Sequence, residues 1–226
     1  MFRTVQLLWL LIFCLLAACA QSQAFPAPDP DKDAAVVTFA VDFPGSQPEH
    51  YSIRVPSEGR SHYQSSGRLS ADSDVTDSFD FDFDISAATR SKILALAQKA
   101  GYFQKDLDAH KKLAFTGKKT LSYKDARRTG ESTYNFSSNP AAQELTALFQ
   151  NLSATLEFGH RLAYDHRYQK LALDEELKGM ERMESTHMLV EVSAIQPILE
   201  QIVADQSVVN VARARARRLL ESAAGR

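Results

Sequence analysis

Residues 79–101 read FDFDFDISAATRSKILALAQKAG, and the change of period inside that stretch decides the fold class. From Phe79 to Ile85 large apolar residues alternate with Asp80, Asp82 and Asp84. A period of two places Phe79, Phe81, Phe83 and Ile85 on one face of a strand and the carboxylates on the other. At Ser86 the period lengthens: Ile93, Leu96, Ala97 and Ala100 recur at helical spacing, Ser86 stands where an N-cap hydroxyl belongs, and Gly101 supplies the stop. A half-buried strand followed at once by an amphipathic helix predicts an α+β fold, a small antiparallel sheet packed on helices.

The flanking sequence repeats both periods. Val37, Phe39, Val41 and Phe43 alternate with Thr38, Ala40 and Asp42 up to Pro44-Gly45, and Tyr51, Ile53 and Val55 form a second strand that turns at Glu58-Gly59 into a weaker one around Tyr63. After the helix, residues 113–124 and 132–137 read as a hairpin with Leu121, Tyr123, Tyr134 and Phe136 inward. Asn139-Pro140 opens a second helix, with proline at its first position and Leu145, Leu148, Phe149, Leu152 and Leu156 as the buried stripe. From His160 onward the pattern is helical throughout, with a bend expected near Gly159 or Gly179. Residues 195–204 and 208–220 close it as an α-hairpin; a solenoid needs about three such pairs. The expected organisation is a signal peptide over 1–18, an anchor and tether over 19–34, an α+β domain over 35–158 and an all-helical C-terminal segment over 159–226.

The N-terminus carries an address. Arg3 lies beside the amino terminus, residues 7–18 are almost wholly apolar, and the polar Gln21-Ser22-Gln23 follows. A dozen apolar residues is a secretory h-region, whereas a membrane span needs roughly 20. Leu16-Ala17-Ala18-Cys19 resembles the lipobox of bacterial lipoproteins, and that resemblance implies that Cys19 becomes the lipid-modified first residue. Ala18-Cys19-Ala20 also fits ordinary signal cleavage, so both routes stay open. Ala20 after the cysteine points to the outer membrane. Pro26, Pro28 and Pro30 then stiffen a polar tether.

The body resembles small α+β domains of exported bacterial proteins of unassigned function, over residues 36–158. The shared features are the Tyr51-Ser52-Ile53-Arg54-Val55 strand, the Ser86 helix ending in Gly101-Tyr102-Phe103, and the Phe115-Thr116-Gly117-Lys118-Lys119-Thr120-Leu121 hairpin. The resemblance transfers no site.

Composition and motifs exclude more than they assign. Both cysteines, Cys14 and Cys19, lie in the signal, so the body has no thiol or disulfide to use. A formal charge of -2 leaves no global footprint for nucleic acid. Asp72, Asp74, Asp77, Asp80, Asp82 and Asp84 crowd one region, with Asp80, Asp82 and Asp84 as metal candidates, but as an EF-hand the stretch fails: Ile85 replaces the glycine and Ser91 the bidentate glutamate. A solvated strand face explains them better, and the stripe discourages edge pairing. Glu157/His160 and Glu184/His187 have the spacing of di-metal bundles without the two further glutamates, and read as coincidence on helical surfaces. No Gly-x-Ser-x-Gly elbow or phosphate loop is present, and no cofactor is implied.

Basic residues cluster around the second hairpin, with Lys118 and Lys119 as candidate membrane or anion contacts, and on the last helix, with Arg213 and Arg217. The first cluster is also expected to face the aspartate stripe across the sheet. The expected function is an exported, lipid-anchored module that binds or scaffolds an envelope protein or glycan. The alternatives are a periplasmic or secreted enzyme and a metal-buffering protein.

Overall fold

The computed structural model describes residues 34–68 and 76–224. They form an α+β fold: β1 (Val36–Asp42), β2 (His50–Pro56), β3 (Ser61–Arg68), β4 (Thr76–Phe83), α1 (Ala87–Lys99), β5 (Lys118–Lys124), β6 (Thr129–Tyr134), α2 (Pro140–Tyr168), α3 (Leu173–Ser185), α4 (Gln196–Ala204) and α5 (Asn210–Ala224). The signal sequence, Cys19, the proline tether and Asp72 and Asp74 lie outside the described residues.

All six strands are antiparallel, in the order β4-β3-β2-β1-β5-β6. The chain meanders from β1 to β4, turns through α1, and returns to lay β5 on the free side of β1. Register aligns Phe81, Tyr63, Ile53, Phe39 and Leu121 in one row across five strands. That row faces the helices, and Phe149 of α2 stacks on Phe39 at 5.2 Å between ring centroids. The next row, Asp82, His62, Arg54, Thr38 and Ser122, faces away from them.

Helix starts follow the expected chemistry. Ser86 Oγ accepts from Thr89 N at 3.2 Å, and Asn139 Oδ1 accepts from Ala141 N at 2.9 Å and Ala142 N at 3.2 Å. These caps satisfy amides that the first helical turn leaves without partners.

Four expectations need correction. Helix α2 runs unbroken through Gly159 and α3 through Gly179, and the helical segment is interrupted between them at residues 169–172; Gly159 serves close packing, since a Cβ there would lie 2.4 Å from Ile195 Cγ2. Residues 113–117 are irregular, and the ladder starts at Lys118. Phe136 is 38% exposed; the strand alternation ends at Asn135, whose side-chain amide turns instead to Thr116 N (2.9 Å) and Ala114 O (3.0 Å). The basic hairpin does not face the aspartate stripe, since β3, β2 and β1 separate β4 from β5 by about 19 Å at the usual inter-strand spacing.

The C-terminal helices pack back on the body. Thr155 Oγ1 of α2 accepts from Val190 N at 3.3 Å, and the Glu191 carboxylate takes Ser86 N (3.0 Å) and Ser86 Oγ (2.7 Å) at the start of α1. Arg215 of α5 reaches Asp174 (2.8 Å) and Glu181 of α3. One hydrophobic core extends from Val37 to Leu219, and position 158/159 falls inside α2. No helix among the described residues is long and apolar enough to cross a membrane.

Candidate functional site

Among the described residues, polar side chains converge beside two openings where the β3–β4 end of the sheet meets α2. The pairs Tyr63↔Phe81, Ser65↔Phe79 and Gly67↔Asp77 put the odd-numbered residues of both strands on the helix-facing side. On α2, Ser153, Glu157 and His160 flank the apolar stripe of Phe149, Leu152 and Leu156 at spacings of three and four. The Tyr63 hydroxyl lies 2.9 Å from Ser153 Oγ and donates to Glu157 Oε1 at 2.7 Å. Ser65 Oγ donates to the same oxygen at 2.7 Å. Burial, reinforced by the charge of Glu157, pushes the Tyr63 phenol well above its ordinary range, so it stays a neutral donor.

His160 Nε2 lies 2.8 Å from Asp77 Oδ2, and its ring stacks on Phe79 at 4.3 Å. This stacked pair separates two openings. One is a polar cleft of about 110 Å³ lined by Ser65, Arg68, Asp77, Glu157 and Arg161. The other is a slot of about 250 Å³ between β4, α2 and α4, walled by Phe81, Leu156, Ala163, Pro197 and Ile198. Together they make an amphipathic groove with an aromatic and imidazole wall in the middle.

No protein-family model matches the chain, and no curated protein matches it. The groove's own geometry must therefore carry the chemistry.

Its hydroxyls are poorly placed for nucleophilic work. Ser65 is only 5% exposed and donates to a carboxylate, not to His160. The accessible chemistry is the Asp77–His160 pair, whose side chains are 46% and 26% exposed. An aspartate that orients an imidazole is the arrangement of a general acid or base.

The other candidates lie elsewhere. Asp80 and Asp82 are exposed on the opposite face of β4, with His62 Nδ1 2.8 Å from Asp82 and Nε2 3.7 Å from Asp80; Asp84 is exposed beyond the strand end. Among the described residues no three His, Cys, Asp or Glu side chains converge as a metal site requires. Glu157 and His160 share the groove with different partners, while Glu184 accepts from Ser222 Oγ and His187 points to solvent. Lys118 and Arg217 are exposed, and Arg213 donates to Gln206 Oε1 at 3.0 Å.

Lys119 contradicts its expected role as an outward contact. It is buried, and its ammonium donates to Thr116 O (3.0 Å), Thr116 Oγ1 (3.0 Å), Gly117 O (3.1 Å) and Asn135 O (3.1 Å). Its register with Val41 and Tyr134 puts it on the helix-facing side with Leu121 and Tyr123. Burial lowers its pKa from the ordinary lysine value.

Tyr63, Ser65 and Ser153 did not stand out in the sequence as site residues, and Asp77 stood out only as one of the crowded aspartates, not as a partner of His160. The signal for them is parity: Asp77 precedes Phe79, Phe81 and Phe83 on the same strand face, and Ser153 lies one turn before Glu157.

Proposed function

We propose that this protein is exported, anchored through lipid on Cys19 to the periplasmic side of a bacterial membrane, and works there as a non-catalytic binding or scaffolding module for an envelope protein or glycan. The observation that carries the binding role is the amphipathic groove: an apolar slot able to take an apolar side chain or ring, adjoining across the Phe79–His160 stack a polar cleft whose buried Ser65 hydroxyl is already engaged by Glu157. Such a site holds a ligand by apolar burial and orients it by Arg161, His160 and Asp77 at the rim.

The anchor is tested by intact mass and membrane fractionation of the full-length protein beside a Cys19→Ser variant. Lipid on Cys19 with membrane retention, both lost in the variant, is expected; a soluble wild type without lipid overturns the anchor. For the groove, the probe is 1-anilinonaphthalene-8-sulfonate. Its fluorescence is expected to rise with the wild type and to fall when Ala163→Phe fills the slot; equal signals overturn the groove as the binding place.

A periplasmic enzyme remains the second reading, favoured by the Asp77–His160 pair at the groove. Turnover of a peptide, ester or glycan substrate by the wild type, abolished by His160→Gln with the fold intact, would replace the binding module with that enzyme.

A further inference from the structure

Residues 104–117 join the turn after α1 to β5 without regular structure, yet they are tied down along their length. Leu107 N donates to Ser132 Oγ at 2.8 Å, Asp108 bridges to Ser137, and Ala109 N donates to Phe136 O at 2.9 Å. Further along, the Asn135 amide binds both Ala114 and Thr116, and the buried Lys119 ammonium binds the carbonyls of Thr116 and Gly117. Gly117, at φ +96°, lets the loop close on Phe43, where a Cβ would sit 2.9 Å from the Phe43 Cβ. Phe115 meets the Phe43 ring edge-on at 5.8 Å.

All this polar fastening presents apolar side chains to water. Leu113 is 50% exposed and Phe115 is 58% exposed. The exposed Lys111 and Lys112 precede them and the exposed Lys118 follows, and residues 111–118 contain no acid. The neighbouring acids are each engaged: Asp106 by His110 at 2.8 Å, the half-buried Asp108 by His110 N at 3.1 Å, and Asp42, which faces Lys118 across the β1–β5 ladder, by His50 at 3.2 Å. A held loop with two large apolar tips flanked by exposed lysines matches the chemistry of an anionic bilayer surface: apolar groups enter the headgroup boundary and lysines meet the phosphates.

We propose that the loop over residues 111–118 is a membrane-contact element, in which Leu113 and Phe115 insert into the interface of a bilayer containing anionic lipid and Lys111, Lys112 and Lys118 pair with its headgroups. Lys119 is a positioning residue beneath the loop. The element acts independently of lipid on Cys19, and on a chain already anchored it would set which face of the body lies against the membrane.

The test uses the full chain carrying Trp9→Phe and Phe115→Trp, so that the single indole reports from position 115. It is mixed with vesicles of phosphatidylethanolamine and phosphatidylglycerol, and with vesicles of phosphatidylcholine alone. The expected result is a blue shift, with quenching by brominated acyl chains, on the anionic vesicles only. Lys111→Gln with Lys112→Gln should weaken that partitioning about thirtyfold, and added salt should weaken it further. Circular dichroism of each variant checks the fold, and Leu113→Ser gives an independent loss at a site without charge.

An unshifted and unquenched indole on anionic vesicles overturns the proposal. So does a shift that is equal on neutral vesicles and indifferent to the lysines, or one that needs an added protein and no lipid. The same series on a Cys19→Ser background carries no lipid on that residue, so failure of the anchor and failure of the loop are read separately.

Discussion

At Tyr63 a buried phenol and the nearby Ser65 hydroxyl both depend on one carboxylate oxygen of Glu157. Removing that acceptor takes a strong partner from two buried donors at once, orphaning Ser65 and leaving Tyr63 only Ser153 Oγ, whereas removing one donor leaves the carboxylate bound to the other. Glu157→Leu is therefore expected to cost about 2–3 kcal/mol in urea unfolding, and Tyr63→Phe and Glu157→Gln about 1 kcal/mol each, with m unchanged. A Leu variant as stable as the Gln variant would mean that water reaches the hydroxyls. Two aspartates carry opposite pH signatures. Lys170 and Ser207, with His166, hold the Asp205 carboxyl well below its ordinary value. The stability it contributes is present above the unfolded pKa of about 3.9 and is lost as pH falls through the folded value. Asp165 is raised, first by burial and then by Glu176, so its ionisation opposes folding above that unfolded pKa. In thermal melts Asp205→Asn should lower Tm near neutral pH, Asp165→Asn should raise it, and both differences should shrink in strong acid, below about pH 3.

Helix α2 shows how one element sets two contacts at once. Its apolar stripe docks on the sheet through Phe149, and nearly three turns further Gly159 receives the side chain of Ile195. A glycine inside a helix ordinarily costs about 1 kcal/mol relative to alanine, so an exposed Gly→Ala change would stabilise. Here the added Cβ meets Ile195 Cγ2, and Gly159→Ala is expected to destabilise by about 1–3 kcal/mol. Combining it with Ile195→Ala should give less than the sum of the two losses in a double-mutant cycle; strict additivity would show that the two sites do not touch. At the sheet edge, β4 carries Asp80 and Asp82 on its solvent face, a charge pattern that disfavours pairing with a second sheet.

The molecule as a whole buries one continuous core from β1 to α5. Ion pairs add to that continuity, since Arg215 and Arg218 fasten α5 to α3 and Glu191 fastens the C-terminal segment to the start of α1. The described part is therefore expected to unfold in a single transition, with tyrosine fluorescence from the sheet and far-ultraviolet dichroism from the helices superimposing along a urea curve. Two separated midpoints would show that residues after α2 form an independent unit. The sheet also divides the surface into unlike sides: polar rows on its open face, the amphipathic groove at the β4 edge, and the lysine and phenylalanine loop beside β5.

Local periodicity by itself determined the α+β class, the strands through Val37, Ile53 and Phe81, the Ser86 and Asn139 caps and most of the buried stripe, because each depends on residues within a few positions of one another. It also held more than was taken from it: Lys119 shares parity with Leu121 and Tyr123, and Asp77 with Phe79, so both were legible as inward-facing. Only the tertiary structure decided that β5 lies against β1 and not β4, that Glu157 meets Tyr63 and His160 meets Asp77, and that Gly159 packs where a bend was expected. Those outcomes depend on which distant segments become neighbours. Strand order and helix docking are chosen by the total apolar surface the chain can bury, a sum over the whole molecule that no short window contains.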